Sequence, residues 1–110
     1  MTQPDLFSGQ SQEEKPAVEG VTIAPQEKYI FHQDPGHGWV EVPMAELRLL
    51  GIAGKITPYS YRIGNRAFLE EDCDAGTWEK AWKEKFGHLP QLVEVHLDVT
   101  PIRDYPDYRP

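Results

Sequence analysis

The chain of 110 residues has little cysteine, no long apolar run and few positive charges. Cys73 is the only cysteine, so an intramolecular disulfide is excluded and a reducing compartment fits best. No apolar run is long enough to span a bilayer, and the N-terminus lacks the basic and apolar regions of a signal peptide. We therefore expect a cytoplasmic protein without a membrane partner.

Negative charge dominates, with a net charge of −7, and residues 1–27 carry four of those seven charges. Proteins bind the phosphates of nucleic acid through a basic face, so we expect no direct contact with nucleic acid. The simplest interpretation of the excess acid is solubility. The sharper alternative is an acidic inhibitor that mimics nucleic acid and occupies the basic surface of a host DNA-handling or defence protein.

Composition divides the chain into three segments. Residues 1–27 are rich in Gln, Glu, Pro, Ser and Gly, which predicts a disordered acidic tail, interrupted by an apolar island at residues 21–23 that could pair onto a sheet edge. Residues 28–98 carry the periodic apolar pattern of a domain. Residues 99–110 are predicted to be a flexible C-terminal tail. A domain of about 70 residues buries little apolar surface in its core, so dimerisation or partner binding would add to the buried surface.

The domain pattern predicts an α+β fold with the order β-β-α-β-β-α-β. Alternating apolar residues indicate strands, 3.6-residue periodicity indicates helices, and Gly64-Asn65 is typical of a tight hairpin turn. The expected architecture is a small antiparallel sheet of about five strands with two helices on one face.

Helical spacing also predicts which side chains are buried. Met44 and Leu47 share one face of the first helix, and Glu46 is expected to point away from it. Trp78 and Trp82 share one face of the second helix, which makes it the main buried helix. Asp74 lies where a helix N-cap is expected.

The first hairpin turn gathers the side chains best suited to contact or chemistry. His32, Asp34 and His37 lie within six residues and could, with an acid from residues 70–74, serve a small metal-dependent enzyme. The favoured interpretation is structural, because Asp34 is placed to cap its own turn while the histidines pack beside Trp39 or meet solvent. We therefore predict no catalytic residue, resident metal or cofactor, and assign His32, Asp34, His37 and Trp39 to a partner-contact surface.

Cys73 and the acids around it have simple structural interpretations. Acids before a helix favour its positive end, which accounts for residues 70–74 without a catalytic role. A Cys–His nucleophile would need a histidine brought close by the fold. A small buried apolar side chain is the simpler role for Cys73.

The extreme N-terminus carries a short docking sequence. Gln3-Pro4-Asp5-Leu6-Phe7 resembles the peptide with which bacterial replication and repair proteins bind the sliding clamp. In such a peptide Leu6 and Phe7 would enter an apolar pocket while Gln3 hydrogen-bonds at its edge. Pro4 departs from the aliphatic residue that is common at its position in these peptides.

The domain itself is similar to a family of small proteins found in bacteria and on phages and plasmids. The similarity is carried by HQDPGHGWVEVP, ELRLLGIAGKITPYSY and AFLEEDCD and covers about residues 28–98. The resemblance implies an accessory protein of mobile DNA that handles host defence or replication, and it transfers no functional residue. Together with the tail, it predicts a non-enzymatic protein-interaction module.

Overall fold

The computed structural model describes Gln26 and residues 28–110. The predicted tail motif at Gln3, Leu6 and Phe7 lies outside the described residues. The chain folds into five strands and two α-helices in the predicted order, followed by a C-terminal 3₁₀ turn: β1 (Tyr29–Gln33), β2 (Gly38–Pro43), α1 (Met44–Leu49), β3 (Tyr61–Ile63), β4 (Arg66–Glu70), α2 (Asp74–Phe86), β5 (Leu92–His96) and the turn Pro101–Asp104.

The five strands form one sheet in the order β3-β4-β2-β1-β5, so the predicted α+β class is confirmed. The sheet is mixed, whereas the sequence indicated antiparallel pairing throughout. β5 runs parallel to β1, although the other neighbouring strands are antiparallel. The connection explains the difference. Helix α2 carries the chain back along the sheet after β4, so β5 runs in the same direction as β4 and β1.

Both helices pack on one face of the sheet and enclose the main core. Tyr29, Val40, Val42 and Leu69 from the strands meet Met44 and Leu47 from α1 and Trp78 and Trp82 from α2. These positions follow the two-residue period of strands and the 3.6-residue period of helices that the sequence shows.

Glu46 is buried in this core, with 2% of its surface exposed, so the prediction that it points away is wrong. Its Oε1 accepts a hydrogen bond of 2.7 Å from Tyr29 Oη, and its Oε2 accepts one of 3.1 Å from Trp78 Nε1. Trp82 Nε1 in turn donates to Tyr29 Oη at 3.0 Å. Burial, together with the neighbouring Glu46 carboxylate, raises the pKa of Tyr29. The Glu46 carboxylate therefore satisfies Tyr29 and Trp78 directly, and Tyr29 Oη satisfies Trp82 in turn.

A smaller core lies on the opposite face of the sheet. Trp39 and Phe68 project from the strands there, and Ile102 from the C-terminal segment is buried against them. Tyr61 and Tyr105 complete this layer. The segment 99–110, which composition suggested was a flexible tail, thus covers the part of this face that β2, β3 and β4 form.

The C-terminal segment continues around the β3 edge and reaches the helix side. Arg62 N donates to Pro106 O at 3.0 Å, and Tyr108 N donates to Ser60 O at 2.8 Å. The Tyr108 ring is buried in the main core, and its hydroxyl donates to Ala53 O at 2.6 Å. Burial raises the pKa of Tyr108. The segment is therefore part of the fold and not a loose tail.

The described part of the chain has no helix of the length and apolar character that crossing a membrane requires.

Candidate functional site

The turn between β1 and β2 is organised by Asp34. Its Oδ1 accepts hydrogen bonds from the backbone N–H groups of Gly36, at 3.0 Å, and His37, at 2.9 Å, the Asx arrangement that the sequence indicates. Arg103 of the C-terminal segment donates through Nε to Oδ2 at 2.6 Å and through Nη2 to Oδ1 at 2.9 Å. The Arg103 guanidinium holds the pKa of Asp34 well below its usual range.

Close packing at the start of β2 holds this turn in place. A Cβ atom on Gly38 would lie 2.6 Å from Cζ of Phe31, so a side chain here would force that ring to move. The turn therefore has little freedom to rearrange, because Asp34 fixes one end and the close approach of Gly38 fixes the other.

His32 is turned away from the turn and belongs to a different ion pair. Its Nε2 lies 2.8 Å from Glu41 Oε1, and Arg66 Nε donates to Glu41 Oε2 at 2.9 Å. Burial raises the pKa of Glu41, but the hydrogen bonds from His32 and Arg66 outweigh it and bring the pKa below its ordinary value.

His37 lies on the surface near the end of β4, with Nδ1 at 3.6 Å from Glu70 Oε2. The three polar side chains of the turn thus meet three different partners: Glu41, Arg103 and Glu70. Across Gln26 and residues 28–110, no group of three or more His, Cys, Asp or Glu side chains is arranged to hold a metal ion. This arrangement does not support the metal-dependent alternative.

A cavity of about 330 Å³ lies beside the turn, where the start of β3, the end of β4 and the start of α2 meet. Aromatic rings, both signs of charge and one thiol line it: His37, Trp39, Tyr59, Tyr61, Glu70, Cys73 and Arg103. We call it the Trp39 cavity. Its volume is at the lower end of ligand sites and is enough for one large side chain or a short peptide segment.

The Trp39 ring is the centre of the aromatic packing around this cavity. The rings of His37 and Tyr61 have centroids 6.0 and 6.2 Å from it, and the Arg103 guanidinium carbon lies 5.4 Å from the ring centroid. Arg103 therefore adds a cation–π contact to its ion pair with Asp34. Within the described residues, the buried Trp39 Nε1–H has no hydrogen-bond partner.

Tyr59 projects from the cavity rim with 76% of its surface exposed. Side-chain hydrogen bonds to α2 anchor the loop that carries it. The buried Asp74 carboxylate accepts hydrogen bonds from Thr57 Oγ1 at 2.7 Å and from Ser60 Oγ at 2.5 Å. Asp74 is the first residue of α2, so its carboxylate joins the helix to this loop. The N-cap position, where the sequence placed Asp74, is occupied by Cys73, whose side chain makes no capping hydrogen bond. The fold therefore presents an exposed aromatic ring on a rigid support.

Cys73 is exposed on the cavity wall, so the expectation that it is a buried apolar side chain is wrong. Its sulfur lies 3.6 Å from Asp74 Oδ1 and 3.9 Å from Thr57 Oγ1. No hydrogen bond within the described residues joins it to His37. The cavity brings a thiol, an imidazole and a carboxylate to one place without the thiol–imidazole contact that nucleophilic catalysis uses.

Of the residues assigned from the sequence, the cavity brings together His37 and Trp39, while His32 and Asp34 lie outside it. Tyr59, Tyr61 and Arg103 were missed. The alternation Tyr-Ser-Tyr was a usable signal for the first two, because it places both rings on one side of an extended chain. Arg103 gave no local signal, since its contact with Asp34 spans 69 positions.

In comparisons with known proteins, no family model, no curated protein and no solved structure matches this chain. The geometry of the Trp39 cavity and the residues of the N-terminal motif are therefore the observations from which a function is inferred.

Proposed function

We propose that the chain is a non-enzymatic protein-interaction module of bacterial or mobile-element origin. Its N-terminal residues Gln3, Leu6 and Phe7 dock on a partner, for which the bacterial sliding clamp is the candidate. The Trp39 cavity takes a second segment of the same partner. The exposed ring of Tyr59 on its rigid loop is the observation that carries the proposal.

The composition of the cavity supports a protein partner. Trp, Tyr and Arg are the side chains most enriched where truncation weakens protein–protein binding. Here Trp39, Tyr59, Tyr61 and Arg103 line one concave surface. The rings lose little conformational entropy on binding, because packing already holds Trp39 and Tyr61.

The charge pattern favours this function over mimicry of nucleic acid. A mimic must expose its carboxylates in rows, but four of the domain's acids are engaged within the fold. Asp34 and Glu41 pair with arginines, while Glu46 and Asp74 are buried and accept hydrogen bonds from aromatic and hydroxyl side chains. These carboxylates stabilise the domain and are not free to imitate phosphates.

The docking test uses the full chain and a purified bacterial sliding clamp. We expect saturable binding in fluorescence anisotropy, and we expect the double variant Leu6→Ala/Phe7→Ala to bind at least about tenfold more weakly, since both apolar anchors are lost. Gln12→Ala, in the same segment but outside the motif, is the matched control and should bind normally. Saturable binding that survives the double substitution would show that another surface does the docking.

The cavity test uses the same assay with Tyr59→Ala. We expect about fivefold weaker binding, or about 1 kcal/mol, because an exposed aromatic contact is removed while the fold is untouched. Ile63→Ala, which truncates another exposed apolar side chain at the far end of β3, should leave the affinity unchanged. Equal affinities for Tyr59→Ala and wild type would remove the cavity from the interface.

A further inference from the structure

The two edges of the sheet differ in how they are covered. At the β3 edge, Arg62 N donates to Pro106 O at 3.0 Å and Tyr61 forms an antiparallel bridge with Asp107. At the other edge, every backbone partner of β5 among the described residues belongs to β1. The outer side of β5 therefore presents a row of backbone donors and acceptors.

β5 lacks several of the features that usually protect an edge strand, although it carries the charged Glu94. Its sequence Leu-Val-Glu-Val-His contains no lysine and no proline, and its pairing with β1 runs without a bulge from residue 92 to residue 96. Val93, Val95 and Leu97 are exposed on the face opposite the helices, beside the exposed Ile30 of β1. An open, regular and apolar edge is suited to pairing with another strand.

The hydrogen bonds to β1 fix which backbone groups of β5 point outward. Gln91 O accepts from Tyr29 N and Leu97 N donates to Gln33 O, each at 2.9 Å, so odd-numbered residues point their backbone groups toward β1. The backbone groups of Leu92, Glu94 and His96 consequently point to the open side.

We propose that β5 pairs with β5 of a second copy of this chain, antiparallel, about a two-fold axis that passes between the two Val95 residues. In this register, Glu94 and the partner subunit's His96 exchange both backbone N–H···O bonds. The two sheets join into one continuous sheet of ten strands. A two-fold axis perpendicular to the sheet keeps both helix layers on the same side.

Side-chain complementarity selects this register. On one face Val95 meets its symmetry mate and Val93 meets the partner subunit's Leu97, so apolar meets apolar. On the other face the Glu94 carboxylate meets the partner subunit's His96, an imidazole that can donate a hydrogen bond. A register centred on Glu94 would instead place two carboxylates opposite each other. Gln33 Nε2 already orients the Glu94 carboxylate by donating to Oε1 at 3.0 Å.

The position of Gln26 favours a second copy over the chain's own residues 21–23 as the occupant. Gln26 N donates to Tyr29 Oη at 3.2 Å, and Arg66 Nη1 of β4 donates to Gln26 Oε1 at 3.3 Å. β4 and β5 lie on opposite sides of β1 in the strand order. Residue 26 is thus tied toward the β4 side, away from the open edge.

The first test is the mass of the full chain in solution by light scattering over a range of concentrations. We expect a concentration-dependent dimer for wild type and a monomer for Val95→Lys, which places two lysines at the axis. Val95 is 37% exposed, so the far-ultraviolet circular dichroism should remain unchanged. Val99→Lys, at a position 82% exposed and beyond β5, is the control and should dimerise like wild type.

The second test distinguishes this register from any other association. Glu94→Lys and His96→Glu should each weaken the dimer by at least about fivefold, because each places like charges or an unpaired charge at the pair. The double variant Glu94→Lys/His96→Glu should restore dimerisation, since the lysine introduced in one subunit then lies opposite the glutamate introduced in the other. Both positions are exposed, so these variants fold whether or not the dimer forms.

Three results would overturn the proposal. A monomeric wild type at every concentration excludes the dimer, and protection of the Glu94 and His96 amides from hydrogen exchange in that monomer would identify residues 21–23 as the occupant of the edge. A dimer that tolerates Val95→Lys uses another surface. A charge-swapped double variant that stays monomeric excludes the register. None of these outcomes depends on clamp binding or on the Trp39 cavity.

Discussion

Asp34 joins the first turn to the C-terminal segment, and its ionisation makes this junction sensitive to acid. The Arg103 guanidinium lowers the pKa of Asp34 in the folded state below the unfolded value of about 3.9. The ion pair of Asp34 with Arg103 therefore contributes fully to the free energy of unfolding above about pH 4. This contribution is lost as the pH falls toward the pKa of Asp34 in the folded state.

We predict that Asp34→Asn is less stable than wild type at neutral pH and that the difference shrinks in acid. Asparagine keeps an oxygen for the turn hydrogen bonds but loses the ion pair with Arg103. Urea denaturation at a series of pH values from about 6 to about 2 measures this convergence. Stability curves that stay parallel over the whole range would show that the pair contributes nothing that depends on ionisation.

Glu46 is the shared hydrogen-bond acceptor of Tyr29 and Trp78 in the helix-side core. Glu46→Ala leaves Tyr29 Oη and Trp78 Nε1 without their acceptor in a buried place, and we expect a loss of about 3 kcal/mol in the free energy of unfolding. Arg48→Ala, on the exposed side of the same helix, should change stability by no more than about 0.5 kcal/mol. Chemical denaturation of both variants makes the comparison, and equal stabilities would contradict the role given to Glu46.

At the scale of elements, the C-terminal segment covers the part of the second sheet face that β2, β3 and β4 form. Ile102 is buried against Trp39 and Phe68, so Ile102→Ala should cost about 3 kcal/mol of stability. A flexible tail would tolerate this change without effect. Val99→Ala, at an exposed position in the same segment, provides the control and should leave the midpoint of thermal unfolding within about 2 °C of wild type.

The sequence predicted those elements whose turn residues and apolar spacing all lie within one short stretch of the chain. The turn Gly64-Asn65 between two alternating runs and the helical spacing of Trp78 and Trp82 identified β3, β4 and α2. The direction of β5 could not be read in this way, because its alternation is compatible with either a parallel or an antiparallel neighbour. Glu46 was misplaced for a related reason, since the donors that justify burying its carboxylate come from β1 and α2.

At the scale of the whole molecule, the fold class followed from the sequence, whereas only part of the candidate site did. Trp39 and His37 were found because the sequence places them in and beside a hairpin turn crowded with polar side chains. Arg103 and Tyr59 reach the same cavity from distant parts of the chain, which no periodicity reveals. The β2–β4 part of the second sheet face is covered by a segment whose composition resembles a loose tail. Contacts with distant parts of the chain hold it, including the burial of Ile102 and Tyr108 and the ion pair of Arg103 with Asp34.

The molecule has a rigid contact surface on one side and an open strand on the other. We assign the Trp39 cavity and the N-terminal motif to a partner protein, and β5 to a second copy of the chain. The two assignments use opposite regions of the sheet, since the cavity lies toward β3 and the open edge is β5. A dimer could therefore present two cavities at once, which would strengthen binding to a ring-shaped or otherwise repeated partner.

The most direct test of the interaction function is a nuclear magnetic resonance titration of the labelled full chain with the unlabelled sliding clamp. We predict broadening or shifts at Leu6 and Phe7, at the Trp39 indole N–H and at the Tyr59 amide, with little change at Ile63. A titration in which the clamp leaves all these signals unchanged, or shifts only residues outside the motif and the cavity, would contradict the proposed function.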